Sequence, residues 1–469
     1  MKSIRIILFV LLSCMTASVY AQFTISGQVR TRTEFRDGWG TLPVEGASPN
    51  FFTSQRTRLN VGYKMDRLNF FIAAQDIRVW GADMSTIANA VGSWTFLHEG
   101  WGEITLTDTA SNMGDLYFKL GRQEIKYDDA RLLGNLDWLQ QARRHDAAIL
   151  KYRYNGFEAD LGAAYNQGHM VDVLGHGNYY PGVPAATIHP GNPVGFPPGT
   201  NALPLNYKSM QYLYLAKKTN IGRATALVFK DDFQEIGGRG TNSRITAGGT
   251  FFGNISPVKF QLGGYYQGNN DPLGNTLDAY NLLANVSYNV KKFTFTGGFD
   301  LLSGQNSVDP EGRNTRFDPL YGTPHLFWGF MDYFYVATPY GLPGTGMATS
   351  PGLLDVYAKA SYKVNSKFNA LVHVHNFSAA APVAGPDGEA MDSRLGTEID
   401  LVFNYTIAKN VTVQGAYCMM FGTETMNRVK HPTAARIDSG TTPFAAGTDQ
   451  RLFGQWAYLM INMTPSFLN

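Results

Sequence analysis

The chain has 469 residues, of which 16% are charged and 13% aromatic, with 50 glycines and a formal net charge of +2. So low a charge content falls short of the roughly 25% of ordinary soluble chains, and the near-neutral balance excludes a partner held by bulk charge, nucleic acid included. Mean hydropathy is −0.18, so the apolar residues are dispersed rather than gathered into spanning helices.

The first residues read as an export signal. Lys2 and Arg5 precede an apolar run from Ile6 to Leu12, and Ser18-Val19-Tyr20-Ala21 offers small residues for cleavage after Ala21. The run is far below the roughly 20 residues a spanning helix needs. Cys14, behind Leu11-Leu12-Ser13, gives a weaker reading as a lipidated cysteine. Loss of residues 1–21 removes Lys2 and Arg5 and leaves acids and bases equal. It also leaves Cys418 alone, so no intrachain disulfide is expected. Beyond the signal no apolar run approaches 18 residues. An exported chain of this kind is soluble, surface-attached or a barrel.

From residue 23 onward the sequence alternates with period two. Phe23, Ile25 and Val29 oppose Thr24, Ser26, Gln28, Arg30 and Arg32; Leu59, Val61 and Tyr63 oppose Arg58, Asn60 and Lys64. Val258, Phe260, Leu262 and Tyr266 likewise oppose Lys259, Gln261, Tyr265 and Gln267, and Ile399, Leu401, Phe403 and Tyr405 oppose Glu398, Asp400, Asn404 and Thr406. Segments of about ten residues with one apolar face are the mark of a membrane barrel strand. The pattern predicts strands near 23–35, 55–65, 68–78, 98–108, 115–125, 145–155, 156–166, 209–218 and 222–231. It continues with 242–252, 257–267, 278–290, 292–301, 353–363, 367–377, 396–407, 410–420 and 452–463. The connections alternate between short turns (Asp66-Arg67, Asn155-Gly156, Lys409-Asn410) and long loops (36–54, 126–144, 167–208, 302–352, 421–450). Short periplasmic turns, long external loops and an even strand count belong together in outer-membrane barrels. Rings flank the short turns (Tyr63 and Phe70, Tyr154 and Phe157, Tyr288 and Phe293, Tyr362 and Phe368), which suggests an interfacial girdle, although strands favour aromatics anyway. A secreted β-sandwich or β-helix would need neither the loop alternation nor an apolar face on nearly every strand, and no fixed-period repeat is present. The expectation is all-β: a transmembrane antiparallel β-barrel of about 18 strands, one domain over 22–469.

The stretch Leu120-Gly-Arg-Gln-Glu-Ile-Lys-Tyr-Asp-Asp-Ala-Arg-Leu-Leu-Gly-Asn-Leu-Asp-Trp138, followed by Arg143 and Asp146, resembles the alginate-export family of outer-membrane barrels. Ser54-Gln-Arg-Thr-Arg-Leu59 and Gln75-Asp-Ile-Arg-Val-Trp-Gly81 fit it too. Phe317-Asp-Pro-Leu-Tyr-Gly-Thr-Pro-His325 with Gly329-Phe-Met-Asp-Tyr-Phe334 resembles a branch of that family. The resemblance implies an eighteen-stranded barrel and a basic pore for an acidic polysaccharide. The terminal Phe467-Leu-Asn469 departs from the usual aromatic end.

Alternation predicts a lumen-facing basic set of Arg30, Arg32, Arg56, Arg58, Lys64, Lys151, Arg153, Arg244, Lys259 and Lys359. Against it stand Glu103, Glu158, Asp160, Asp300, Asp355, Glu398 and Asp400. Guanidinium groups grip carboxylates through paired hydrogen bonds, and a row of them would draw a polyuronate by electrostatic focusing. Cross-strand pairing that merely fills the barrel is the plainer reading. Leu116, Phe118 and Leu120 claim the side of Arg122 for lipid, but the family-like stretch includes Arg122 and favours a bulge at Gly121 that turns it inward, so Arg122 is counted with the pore-lining set. Arg131, Arg143 and Arg144 either ring the outer mouth or lie in a solvated loop. His373 and His375, at i and i+2 on one face, can bind a metal. No third ligand stands out in sequence, so they are expected to fill the lumen, with no metal and no cofactor. No enzyme is expected: no Gly-x-Ser-x-Gly occurs, and glycosidase carboxylates could be sought only among Glu158, Asp160 and Glu398.

The function expected is passive diffusion of anionic, alginate-like oligo- or polysaccharide through an arginine-lined pore in a Gram-negative outer membrane. The expected partners are outer-membrane lipid, the anionic saccharide and periplasmic polysaccharide-handling proteins; the barrel is expected to be a monomer that binds no nucleic acid. A general small-anion porin and a loop-plugged surface or adhesion barrel are the alternatives. The rings Phe327, Trp328, Phe330, Tyr333, Phe334 and Tyr335 are too many to leave in water at no cost, so the 302–352 loop is predicted to fold into the mouth.

Overall fold

A chain apolar on one strand face and polar on the other can enter lipid only with its backbone polar groups hydrogen-bonded, and it achieves this by closing the sheet on itself. The computed structural model describes residues 22–81, 93–107, 112–166, 207–235, 240–334, 340–342, 349–430 and 450–468. The signal at 1–21 and most of the 167–208 loop lie outside them. The strands are β1 Gln22–Asp37, β2 Asn50–Met65, β3 Leu68–Val79, β4 Ser93–Thr105, β5 Asp115–Gln123, β6 His145–Tyr154, β7 Phe157–Tyr165, β8 Ser209–Thr219 and β9 Gly222–Gln234. They continue as β10 Thr241–Ile255, β11 Val258–Asn270, β12 Thr276–Val290, β13 Phe293–Leu302, β14 Leu353–Lys363, β15 Phe368–Ser378, β16 Arg394–Ala408, β17 Val411–Gly422, β18 Phe453–Met463 and the short β19 Ser466–Leu468. From β1 to β18 each strand pairs antiparallel with the next, and β18 pairs with β1 to close an eighteen-stranded β-barrel. Among the described residues a short α-helix, α1 Glu424–Val429, follows β17 with Thr423 as its N-cap.

Each of the eighteen predicted strands falls on one of these. Two details escape the pattern. Pairing of β3 with β4 shifts between Ala73 and Ala74, so His98 is an extra residue on β4. That bulge breaks the alternation that marks the strand's start, and β4 begins at Ser93 rather than 98. After Thr464-Pro465 the chain resumes as β19, where Leu468 and Ser466 pair with Ile25 and Ser26 of β1. The closing strand is thus interrupted but continues along the same seam.

The outer wall carries the expected apolar belt, with Leu59, Leu120, Leu161, Leu213, Leu262, Phe295, Val356 and Leu459 all exposed. Rings pair across strands at the short-turn end: Phe23 with Tyr63 at 4.7 Å, Phe293 with Tyr362 at 4.5 Å and Phe368 with Tyr405 at 6.4 Å. Asn155 and Gly156, both with positive φ, make the two-residue turn between β6 and β7, the Asn-Gly chemistry such hairpins favour.

Candidate functional site: the lumen and its two inward loops

Alternation puts the polar sides of all these strands on one surface, the lumen. On β1 and β2, Arg30, Arg32, Arg56 and Arg58 lie side by side, with Arg30 directly opposite Arg56. Four guanidinium groups on a wall repel one another unless carboxylates intervene. Glu34 bonds Arg32 at 2.8 Å and Arg36 at 2.8 Å from the same wall. The rest of the compensation comes from the connection between β5 and β6, which turns into the barrel.

Asp137 of that loop lies 2.8 Å from Arg56, 3.3 Å from Arg30 and 3.5 Å from Arg58. Arg30 also donates to the carbonyl oxygens of Asp137, Trp138 and Leu139 and to Gln140 Oε1. Arg32 donates to the Trp138 carbonyl and lies 4.2 Å over its ring. Arg56 is fully buried. Glu124, at the root of the loop, reaches His98 at 2.8 Å and Asn135 at 2.7 Å. Burial alone would push its carboxyl up; those hydrogen bonds and the Arg58 charge outweigh it and hold the carboxyl below the usual range.

The same loop crosses the lumen to the opposite wall. Asp128 accepts from Tyr214 of β8 at 2.7 Å and from Thr225 of β9 at 3.0 Å, and pairs with Arg223 at 3.2 Å. Its carboxyl is nonetheless pushed up by burial, which those bonds do not fully offset. Asp129 accepts from Gln261 of β11, and Arg131 pairs with Asp300 of β13. Residues 124–144 therefore form a strap with a carboxylate for the basic wall and a guanidinium for the acidic one.

The β13–β14 connection folds in beside it. Tyr321 N donates to Leu132 O at 2.9 Å, Gly134 N to Tyr321 O at 2.9 Å and Thr323 N to Ala130 O at 2.8 Å. A Cβ on Gly322 would collide with the Arg131 carbonyl, so the close approach requires glycine there. Trp138 stacks on His325 at 3.9 Å and 7°. Trp328 donates to Asp300 at 2.6 Å and Met331 N to Glu398 at 2.8 Å. Trp328, Tyr333 and Phe334 are buried, and Phe327 and Phe330 are packed against the core. The inward fold predicted from those rings is present; Tyr335 lies outside the described residues.

Of the predicted lumen set, Arg30, Arg32, Arg56, Arg58, Lys64, Lys151, Arg153, Arg244 and Lys259 do lie on the inward faces of their strands. Their environments differ. Arg244 is buried against Asp231 and Asp318; Arg153 pairs with Asp160, and Lys151 with Glu103 at 2.6 Å. Lys64 and Lys259 are exposed near the short turns. Arg122 is the exception. Pairing across β4, β5 and β6 runs without a register shift at Gly121, so alternation holds and Arg122 points outward. There it meets Asp146, directly opposite on β6, through two hydrogen bonds of 2.8 Å. Nor do Arg131 and Arg143 ring the mouth: Arg131 is buried, and Arg143 donates to the Gly322 carbonyl at 2.6 Å. Sequence reading passes over Asp137 and the strap that carries it. Ile125, Leu132, Leu133, Leu136 and Trp138 are the available signal, five large apolar side chains in a loop.

Beneath the strap a cavity of about 340 Å³ opens between β5–β9 and residues 124–128. Lys119, Lys126, Lys151, Arg153 and Arg223 line it with Glu124, Asp128, Glu158 and Asp160.

Residues 21–165 match the family model described as alginate export. The match takes in the Ser54–Leu59, Gln75–Gly81 and Leu120–Trp138 stretches and hence the arginine wall and the strap; residues 317–334 lie beyond it. No curated protein matches the chain. Among solved structures, OccK5 (OpdH) of Pseudomonas aeruginosa superposes with a TM-score of 0.56 at 9% identity, covering 95% of this chain and 98% of that one. OccK2 (OpdF) of the same organism, solved in complex with glucuronate, gives 0.57 at 11% identity, covering 95% and 97%. At such identity the likeness is one of fold alone: these chains wind the same kind of barrel.

Proposed function

We propose that this barrel is an outer-membrane diffusion channel for anionic saccharides of the uronate class, with its selectivity set at the strap across the lumen. The observation that carries the reading is the charge balance there. Five guanidinium groups (Arg30, Arg32, Arg36, Arg56, Arg58) face four carboxylates (Glu34, Glu99, Glu124, Asp137), and the Asp137 side chain is 44% exposed. A surplus of positive charge beside an opening in a low-dielectric wall attracts anions over several ångströms. The match to the alginate export family supports the substrate class, as does the glucuronate bound to OccK2, a barrel of the same fold.

The arginines act here through their field and by fixing the strap, since Arg30, Arg32 and Arg56 are sealed beneath it. Contact with a passing carboxylate falls to the part-exposed cations of the cavity, Lys119, Lys126 and Arg223 among them. Two inward loops cross the lumen, which favours mono- or oligosaccharide in single file over a wide, unselective pore. The loop-plugged surface barrel retains one observation in its favour, the dense packing of Trp138, His325 and Trp456 in the mouth. Oligomannuronate added to one side of a bilayer holding single channels separates the two. The channel reading expects transient current interruptions that lengthen with oligomer charge; a steady current with no interruptions, or no current, contradicts it.

A further inference from the structure

Across the lumen from the arginines, β14, β15 and β16 bring a second set of ionisable groups together. His373 and His375 stand two residues apart on β15, and register sets His373 opposite Asp400 and His375 opposite Glu398 on β16. Asp400 faces Cys418 on β17, and His373 faces Lys359 on β14. The two imidazoles and the Asp400 carboxylate each offer an atom within 4.8 Å of the others. These groups are sealed from water: His375, Asp400, Glu398 and Cys418 are fully buried and His373 is 8% exposed.

Buried polar atoms normally find partners, yet several here have none. His375 Nε2, His373 Nδ1 and Asp355 Oδ1 lack a hydrogen bond, and the Asp400 carboxyl meets only the neighbouring Glu398 carboxyl and Cys418 thiol. His375 Nδ1 is engaged, 2.8 Å from Asp355 Oδ2. A carboxylate on Nδ1 keeps the proton on that nitrogen, which leaves Nε2 as a lone pair. This is the outer support that metal-binding histidines commonly have. Three carboxylates (Asp355, Glu398, Asp400) face a single ammonium, Lys359, because Arg131 is taken up by Asp300 and Asp129. Were all three ionised, negative charge would exceed positive by two, and buried charge of that kind is costly unless matched by a cation or a proton.

We infer that His373, His375 and Asp400 form a binding site for a divalent transition-metal ion on the lumen wall, with Asp355 orienting His375. Two imidazoles and a carboxylate in a dry, closed setting suit zinc best. Cys418, directly opposite Asp400 on β17, is a candidate for a fourth ligand. The tip of the second loop covers the site, since Phe330 packs on His373 at 5.3 Å and a Cβ on Gly329 would strike Glu398. The other triad, His98, Glu99 and Glu124, differs in that His98 Nε2 is occupied by Glu124 and Arg58.

The test uses the whole barrel in detergent, stripped with chelator, loaded with Zn²⁺ and dialysed. Elemental analysis should find a single equivalent retained, and Co²⁺ loading should give the visible bands of a low-coordinate site. His375→Gln and Asp400→Asn should abolish retention, while Asp355→Asn should weaken it by about 10- to 100-fold. Unheated gel migration reports whether each variant has folded. Should the ligand variants not fold, X-ray absorption of the zinc-loaded wild type still decides, by showing or lacking nitrogen and oxygen scatterers at about 2.0–2.2 Å. A folded wild type that retains no metal overturns the site and means that Glu398 and Asp400 hold protons instead. Equal retention by the folded His375→Gln/Asp400→Asn double variant overturns it as well.

Discussion

Arg56 and Lys64 sit eight residues apart on the same face of β2, and the barrel uses them in opposite ways. Arg56 is buried against Asp137 and the carbonyl oxygens of the strap; Lys64 is exposed at the short-turn end. Alternation reads both as inward and basic, which is correct and incomplete. A β-strand's period decides which side of the wall a residue occupies. Whether the residue meets water or protein is decided by what enters the barrel from elsewhere. The upper lumen is therefore a packed, ion-paired interior, while the lower lumen is a vestibule in which cations remain accessible.

Replacing residues 320–334 with a short Gly-Ser linker bears hardest on this contrast. It removes the cover from the strap, and single-channel conductance should rise several-fold; an unchanged conductance would mean that the passage bypasses the loops. Next comes Arg56→Ala, which removes the shortest ion pair of Asp137 and the donor to two strap carbonyls. Asp137 keeps Arg30 and Arg58 and is 44% exposed, so the loss should fall below the about 3–5 kcal/mol of a fully buried pair. The denaturant midpoint should fall, and the 124–144 strap should become open to protease while the wall persists. The charge reversal Arg56→Glu with Arg58→Glu should weaken or invert anion preference, but through an unseated strap, so limited proteolysis should change along with selectivity. Lys119→Glu with Lys126→Glu should reduce anion preference with little change in stability, because both belong to the vestibule. Parallel melting and reversal-potential measurements would expose any departure from that split.

The smallest effect is expected at Arg122. Its pair with Asp146 is part-exposed on the outer wall, with side-chain exposures of 39% and 55%, and exposed pairs of this kind contribute about 0–1 kcal/mol. Arg122→Gln should leave conductance and selectivity unchanged. A selectivity change equal to that of the vestibule variants would return Arg122 to the lumen.

The wall is legible because lipid imposes a rule on every second residue, and the rule holds on strand after strand. It fails at His98, where one extra residue resets the phase, and after Pro465, where three residues are too few to show a period. Arg122 is drawn inward by its place in a family-like stretch, although strict alternation has it outward. The lumen is less legible because its contacts join distant parts of the chain. Arg30 meets Asp137, Arg131 meets Asp300 and His373 meets Asp400, and no local pattern records such pairings. The rings of 302–352 announce an inward loop; the aliphatic residues of 124–144 carry the same message more quietly. The third partner of His373 and His375 becomes visible only once strand register sets Asp400 opposite.

Reversal potential is the most direct test, measured on single unmutated channels in a salt gradient of a symmetric-mobility salt such as KCl. A selective channel with surplus guanidinium charge at the strap across its lumen predicts a measurable current whose reversal lies toward the anion equilibrium potential. Reversal toward the cation potential, or folded protein that carries no current, would contradict it.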